Sequence, residues 1–232
     1  MTELFLRGVV LDMDGVIIDS HPLHRRAWRE FLIYIGKNVS DSELNFIFEG
    51  RRREEILFHF LGELSSSQIK EYGKKKDEFF RQASKDLKAV DGAVEFIKTL
   101  KDAELCVGLA TSASRQRTLW TIQQLDIADC FEVVVTGDDV TRGKPHPALY
   151  QLAAEHLAVS PECLIAIEDS ISGIISAKTA GFYCIAVSAG SANPLIQAGA
   201  DLVVPNLMNL SVQDLEERLK ASVAPPFIGP AS

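Results

Sequence analysis

No apolar run in the 232-residue chain approaches the roughly 18 residues of a membrane span, and its first residues lack the charged, apolar and small-residue order of a secretory signal. The expected setting is the cytoplasm, without a membrane partner. The chain also lacks a C-x-x-C pair. Cys106, Cys130, Cys163 and Cys184 stand far apart, which argues against a zinc site and a disulfide framework and predicts buried free thiols. There is no excess of positive charge. The formal net charge of −8 speaks against nonspecific nucleic-acid binding, and no internal repeat is found. What is present is an ordinary globular composition, 47% hydrophobic and 24% charged, able to bury a sizeable core. The charge is unevenly spread: residues 21–88 hold 14 Lys or Arg against 11 Asp or Glu, and the rest of the chain 10 against 21. One segment is suited to attract an anion, the remainder to hold a cation.

Short apolar runs follow one another after residue 90: Leu105 to Ala110, Val133 to Thr136, Leu164 to Ile167, Tyr183 to Val187 and Leu202 to Val204. Between them lie stretches of helix length, Ser114 to Leu125, Pro147 to Leu157 and Ser172 to Ala180. This alternation predicts an α/β fold, a doubly wound parallel sheet covered by helices, with ligands at the carboxyl ends of the strands. A first strand is expected over Val9 to Leu11, preceded by the apolar Leu4, Phe5 and Leu6. The rhythm then fails for about 70 residues, too long for a crossover connection. Helical spacing over His24 to Ile35 and Glu54 to Leu61, with capping boxes at Ser40/Glu43 and Ser65/Gln68, predicts a small α-helical domain inserted into the larger one. Its expected bounds are residues 18–89, with hinges near Ile17 to Ser20 and Leu87 to Asp91. The α/β core then comprises 1–17 and 90–222, and residues 223–232 have the composition of a flexible tail.

Four strand ends carry polar groups. In Asp12-Met13-Asp14-Gly15, residues i and i+2 of an extended segment point to one side, so two carboxylates converge and either raise a pKa or recruit a metal. A simple D-x-D-G turn is the plainer alternative. Thr111-Ser112 offers a hydroxyl and a free backbone N–H suited to a phosphate oxygen. Gly143-Lys144-Pro145 delivers a lysine at the mouth of a helix, and Glu168-Asp169 adds acids able to serve a hard cation.

In this order, Asp12-Met13-Asp14-Gly15-Val16, Thr111-Ser112, Gly143-Lys144-Pro145 and Glu168-Asp169-Ser170 resemble the four motifs of the haloacid dehalogenase superfamily of phosphotransferases, in the branch with a helical cap after the first motif. The resemblance spans roughly residues 8–205. It implies that Asp12 is a nucleophile forming an aspartyl phosphate, and that Asp14 is the acid and base for the leaving and entering groups. It further implies Mg2+ held by Asp12, the backbone carbonyl of Asp14 and Asp169, with Glu168 a ligand or the partner of one. Lys144, Thr111 and the Ser112 N–H would stabilise the transferring phosphoryl group. Asp14 selects phosphate-ester chemistry, since the resembling dehalogenases have no acid there.

The cap resembles that of β-phosphoglucomutases at three places: His24, expected to couple cap closure to proton transfer; Arg53, expected to grip a distal phosphate; and Lys76, expected to bind substrate. These residues can equally belong to packed or solvated helix faces. Two positions depart from the mutase pattern, Arg115 in place of a smaller amide and Asp77 in place of Asn. The expected activity is therefore hydrolysis of a small phosphorylated metabolite such as a sugar phosphate, by a monomer. β-Phosphoglucomutase is the alternative, and an inorganic pyrophosphatase or a catalytically silent binding module are minor ones.

Overall fold

A computed structural model describes residues 5–48, 51, 53–85 and 87–223. Six parallel strands form one sheet: β1 (Gly8–Leu11), β2 (Cys106–Ala110), β3 (Val133–Val135), β4 (Leu164–Glu168), β5 (Tyr183–Val187) and β6 (Leu202–Val204). Their order is β3-β2-β1-β4-β5-β6. The chain winds outward in one direction from β1 and then in the other from β4, so the strand order reverses between these two neighbours. At such a switch point the connecting helices diverge and leave a crevice at the carboxyl ends.

Alternation along the strands separates two apolar layers. Val9, Leu11, Ile165, Ile167 and Ile185 face one side, with Phe96, Ile97 and Leu100 of α4 (Ala93–Asp102), Ile122 of α5 (Arg115–Gln124) and Leu215 and Leu219 of α9 (Val212–Val223). Val10, Ala110, Ala166 and Ala186 face the other, against α6 (Ala148–Leu157), α7 (Ile171–Thr179) and α8 (Asn193–Gln197). Smaller side chains on this second face let the helices come close. None of the described helices is long and apolar enough to cross a membrane.

The predicted interruption after β1 is helical. It holds α1 (His21–Tyr34), a 3-10 segment over Glu43–Phe48, α2 (Arg53–Leu61) and α3 (Ser66–Ala83). Trp28, Phe31, Leu32, Leu44, Ile47, Ile56 and Leu57 form its own apolar cluster. Chain entry and exit run side by side, with Asp19 N donating to Lys88 O, Val90 N to Ile17 O, and an antiparallel bridge between Ile18 and Ala89. These contacts tie together the entry to and exit from the helical segment. Ser65 and Gln68 form the expected reciprocal box and open α3. Ser40 and Glu43 make the same bonds but open only the 3-10 segment, a correction to the predicted helix start.

Other expectations need amendment. β1 begins at Gly8, Phe5 is exposed, and Leu4 lies outside the described residues. All four cysteines are free, but only Cys184 is buried. Cys106 and Cys163 sit at the amino ends of β2 and β4, and Cys130 lies in the 3-10 turn before β3. Val223 closes α9, and the rest of the expected tail lies outside the described residues.

Candidate active site

The ladder itself places the first two acids. Asp12 N donates to Ile167 O, extending the β1–β4 pairing by one residue and setting the Asp12 side chain beside the end of β4. The next residues turn sharply, with Ile17 and Ile18 N both donating to Met13 O. Gly15 makes that turn at φ +80°, and a Cβ there would sit 1.8 Å from Asp169 Oδ2. Only glycine fits both the left-handed backbone and the close approach.

Lys144 closes the group. Its Nζ donates to Asp12 Oδ1 at 2.6 Å, Glu168 Oε1 at 2.5 Å and Ala110 O at 3.2 Å, so one ammonium ties together the ends of β1, β4 and β2. Glu168 has no exposed surface. Its Oε1 also accepts from Tyr150 OH at 2.8 Å, and its Oε2 accepts from Ser170 Oγ and from the N–H groups of Asp169 and Ser170. Ser170 caps α7 in turn by accepting from Gly173 N. Glu168 is thus fully occupied as an anchor for the loop that carries Asp169.

Oxygens of Asp12, Glu168 and Asp169 lie within 4.8 Å of one another. Burial, opposed by Lys144 and reinforced by Glu168 and Asp14, pushes the Asp12 carboxyl up to about 7. Burial, with Glu168 and Asp12 close by, raises Asp169 well above the usual carboxylate range. Burial disfavours a charged Lys144, yet Asp12 and Glu168 outweigh it and raise its pKa. Three carboxylates against one ammonium leave an excess of negative charge. An all-oxygen donor set of this kind fits a hard divalent cation.

Asp14 belongs to a second network. Arg117 Nη1 and Nη2 donate to its Oδ1 and Oδ2 at 2.8 and 2.5 Å, and His24 Nε2 lies 3.2 Å from Oδ1. Burial opposes ionisation of Asp14, but Arg117 and His24 overcome it and hold the carboxyl well below its ordinary value. On its other side His24 Nδ1 meets Lys76 Nζ at 2.9 Å. Burial and the neighbouring Lys76 depress His24 to about 3, which leaves a neutral ring that accepts from Lys76 and donates to Asp14. Lys76 is itself 3% exposed, its ammonium 5.0 Å from the Phe80 ring centroid and 5.5 Å from that of Trp28. Burial and Arg117 bring it down to about 7.

Both networks line one cavity of about 810 Å³ between the strand ends and the helical layer. Ser112 borders it with a buried hydroxyl lacking a partner among the described residues, as do Ser20 and Ser172. Thr111, 1% exposed, also lines it, and its Oγ1 accepts from Ala113 N. The arrangement can place an anionic group against Asp12, Lys144 and Ser112, with Asp14 beside it to exchange a proton.

Comparison with known proteins agrees. The family model of haloacid dehalogenase-like hydrolases matches residues 9–187. This chain belongs to that family. It is 34% identical over 204 residues to a phosphorylated carbohydrates phosphatase of Thermotoga maritima, covering 86% of this chain and 94% of that protein. It is 30% identical over 225 residues to the β-phosphoglucomutase of Bacillus subtilis, covering 91% and 95%. The crystal structure of a family IA, variant 3 haloacid dehalogenase hydrolase from Entamoeba histolytica superposes with a TM-score of 0.82 at 27% identity, covering 93% of this chain and all of that one. The chain is thus a phosphatase or phosphomutase by family.

Within this haloacid dehalogenase-like hydrolase, the structure brings together all the residues singled out in the core motifs. In the helical layer, His24 and Lys76 meet Asp14 as one chain of contacts. Arg53 lines the cavity but is already paired: its Nη2 donates to Asp77 Oδ1 and Oδ2 at 3.1 and 2.9 Å. Asp77 also accepts from Ser114 Oγ at 2.8 Å. Burial opposes its charge, but Arg53 and Lys76 prevail and lower its pKa. The departure from Asn at this position therefore supplies the counter-charge of Arg53. Arg115, the other departure, is absent from the cavity wall and donates to both oxygens of Asp139 at 2.8 Å.

Sequence reasoning missed Arg117 and Tyr150. Each lies on a helix outside the four motifs. A signal did exist for Arg117: Ser114, Arg117, Thr118 and Thr121 fall at i, i+3, i+4 and i+7, a polar stripe on the buried side of α5.

Two substitutions probe these contacts. A Cβ at Gly173 would come within 2.0 Å of the Glu168 carboxylate, which every partner holds in place. Gly173→Ala should cost about 1–3 kcal/mol in urea unfolding and reduce activity by displacing Glu168 from Lys144. Lys76→Met should be more stable than the parent at pH 6, by on the order of 2–4 kcal/mol. Below about pH 7 the parent buries a charged Lys76 at full cost. From about pH 7 upward the native group is neutral while the unfolded one still binds its proton, so the advantage should shrink towards pH 10.5. A difference that does not vary with pH would show that Lys76 is not buried in charged form.

Proposed function

We propose that this protein hydrolyses a small phosphate monoester, of the sugar-phosphate kind, with Asp12 as nucleophile. The observation that carries this reading is the set of Asp12, Lys144, Glu168 and Asp169 at the β1–β4 crevice, with Asp14 facing the same cavity. Asp12, Asp169 and the backbone carbonyl of Asp14 would hold Mg2+, anchored by Glu168; the ion supplies the positive charge that lets an anionic nucleophile approach an anionic phosphate. Lys144 keeps Asp12 aligned, and Thr111 and the Ser112 N–H receive the phosphoryl oxygens. Asp12 attacks phosphorus and the ester oxygen leaves with a proton relayed through Asp14, which takes it from the bound monoester because, despite burial, Arg117 and His24 hold the free carboxyl ionised. Water then attacks the aspartyl phosphate, Asp14 takes back a proton, and inorganic phosphate departs. Residues 18–89 act as a cap that encloses small substrates and excludes large ones.

Hydrolysis is favoured over mutase action by the state of two cations, Arg53 of the cap and Arg115 of the core. A mutase must hold a bisphosphate in two orientations, yet Arg53 is neutralised by Asp77 and Arg115 faces Asp139 outside the cavity.

The test is a parallel assay with Mg2+ of phosphate release from sugar phosphates and pyrophosphate, and of conversion of β-glucose 1-phosphate to glucose 6-phosphate with a trace of bisphosphate. Phosphate release without isomerisation is expected, lost on chelation and reduced by at least about 10³-fold in Asp12→Asn. Isomerisation without free phosphate would establish the mutase instead. Retained activity in a folded Asp12→Asn would require another nucleophile.

A further inference from the structure

Arg117 is not part of any strand-end motif. It lies on α5, 103 residues from Asp14 in sequence, yet it is only 5% exposed and reaches the cavity wall. Its guanidinium packs 4.9 Å from the centroid of the Phe80 ring. The same ring meets Lys76 at 5.0 Å and His24 at 4.7 Å, so one aromatic side chain of α3 fixes three of the groups around Asp14. Among the described residues, the Asp14 carboxylate bonds only Arg117 and His24. A single 3.2 Å contact to His24 leaves the carboxylate free to rotate, whereas two parallel N–H donors fix both its position and its plane.

We infer that Arg117 is a positioning residue for Asp14, whose fork aims the carboxylate into the cavity beside Asp12. This rests on the reading that Asp14 exchanges a proton with the alcohol oxygen of the ester. Arginine is needed because lysine offers a point charge without a plane. Burial against Phe80 keeps the guanidinium from swinging out to water, so Asp14 loses its orientation only if Arg117 itself is lost.

The experiment compares full-length wild type, Arg117→Ala and Arg117→Lys with Mg2+ on two esters. One is 2,4-dinitrophenyl phosphate, whose leaving group needs no proton; the other is the best aliphatic ester of the panel, whose alcohol does. The value of kcat/KM reads the steps up to release of the alcohol. Arg117→Ala should lower it by about 10²-fold for the aliphatic ester and by less than about threefold for the aryl ester, with the aliphatic KM unchanged. Millimolar guanidinium should restore part of the loss in Arg117→Ala, and Arg117→Lys should remain impaired. Adding Arg117→Ala to Asp14→Asn should cost nothing further.

Equal losses on both esters would make Arg117 structural, and a loss confined to KM would make it a substrate anchor; either result overturns the inference. If Arg117→Ala does not fold, Arg117→Gln carries the same comparison. A wild type that turns over neither ester would overturn the phosphatase reading and this inference with it, whereas an active wild type with uniform losses overturns the inference alone.

Discussion

The buried ammonium of Lys144 is the constraint on which the rest of the site depends. It stands between Asp12 on β1 and Glu168 on β4 and reaches the last carbonyl of β2, so a single side chain spans the crevice where the strand order reverses. Without it, two desolvated carboxylates would face one another in a low dielectric with no counter-charge between them. With it, Asp12 is held at a fixed place, and Glu168 is free to use its remaining lone pairs on Tyr150, Ser170 and the following backbone. Burial, with Glu168 and Asp12 close by, raises the Asp169 carboxyl well above its usual range, and it is left with His21 Nε2 at 3.8 Å and a minor pull from Lys144. A niche that over-collects negative charge in this way is complementary to a cation.

The second network couples the helical layer to the core. Asp77 on α3 accepts from Ser114, which caps α5, while Arg117 of that same helix stacks on Phe80 of α3 and grips Asp14. His24 and Lys76 complete the contact from α1 and α3. Within residues 21–88, Arg53 is taken up by Asp77 of the same segment. Lys76 is compensated incompletely: burial with Arg117 brings its pKa down to about 7 although Asp77 and Asp14 favour its charge, and its ammonium meets a neutral imidazole.

Much of this was legible in the sequence because the physics is local. Strands buried on both faces must be apolar throughout, so β2, β4 and β5 appeared as runs close to their observed bounds. The four motifs were legible because each sits one residue beyond a strand or at the mouth of a helix, where side-chain type and turn chemistry are tightly restricted. Ser40 and Glu43 were less informative. A capping box specifies only the first turn, and the conformation beyond it depends on packing; here Leu44 and Ile47 turn into the helical cluster and the segment stays 3-10. Partial exposure of three cysteines was equally hidden, since composition does not reveal which strand ends and turns meet solvent.

The sequence by itself determined the fold class, the inserted helical segment and the identities of the acids, the lysine and the hydroxyls at the strand ends, because hydrophobic period and turn chemistry act over a few residues. Only the tertiary structure decided their partners. That Arg117 holds Asp14, that Asp77 takes up Arg53 and that Arg115 turns away to Asp139 all involve residues 24 or more positions apart. Which charges meet across such distances is set by how α3 and α5 pack over the strand ends. An ion pair's strength depends on burial and separation, and neither exists until the chain has folded.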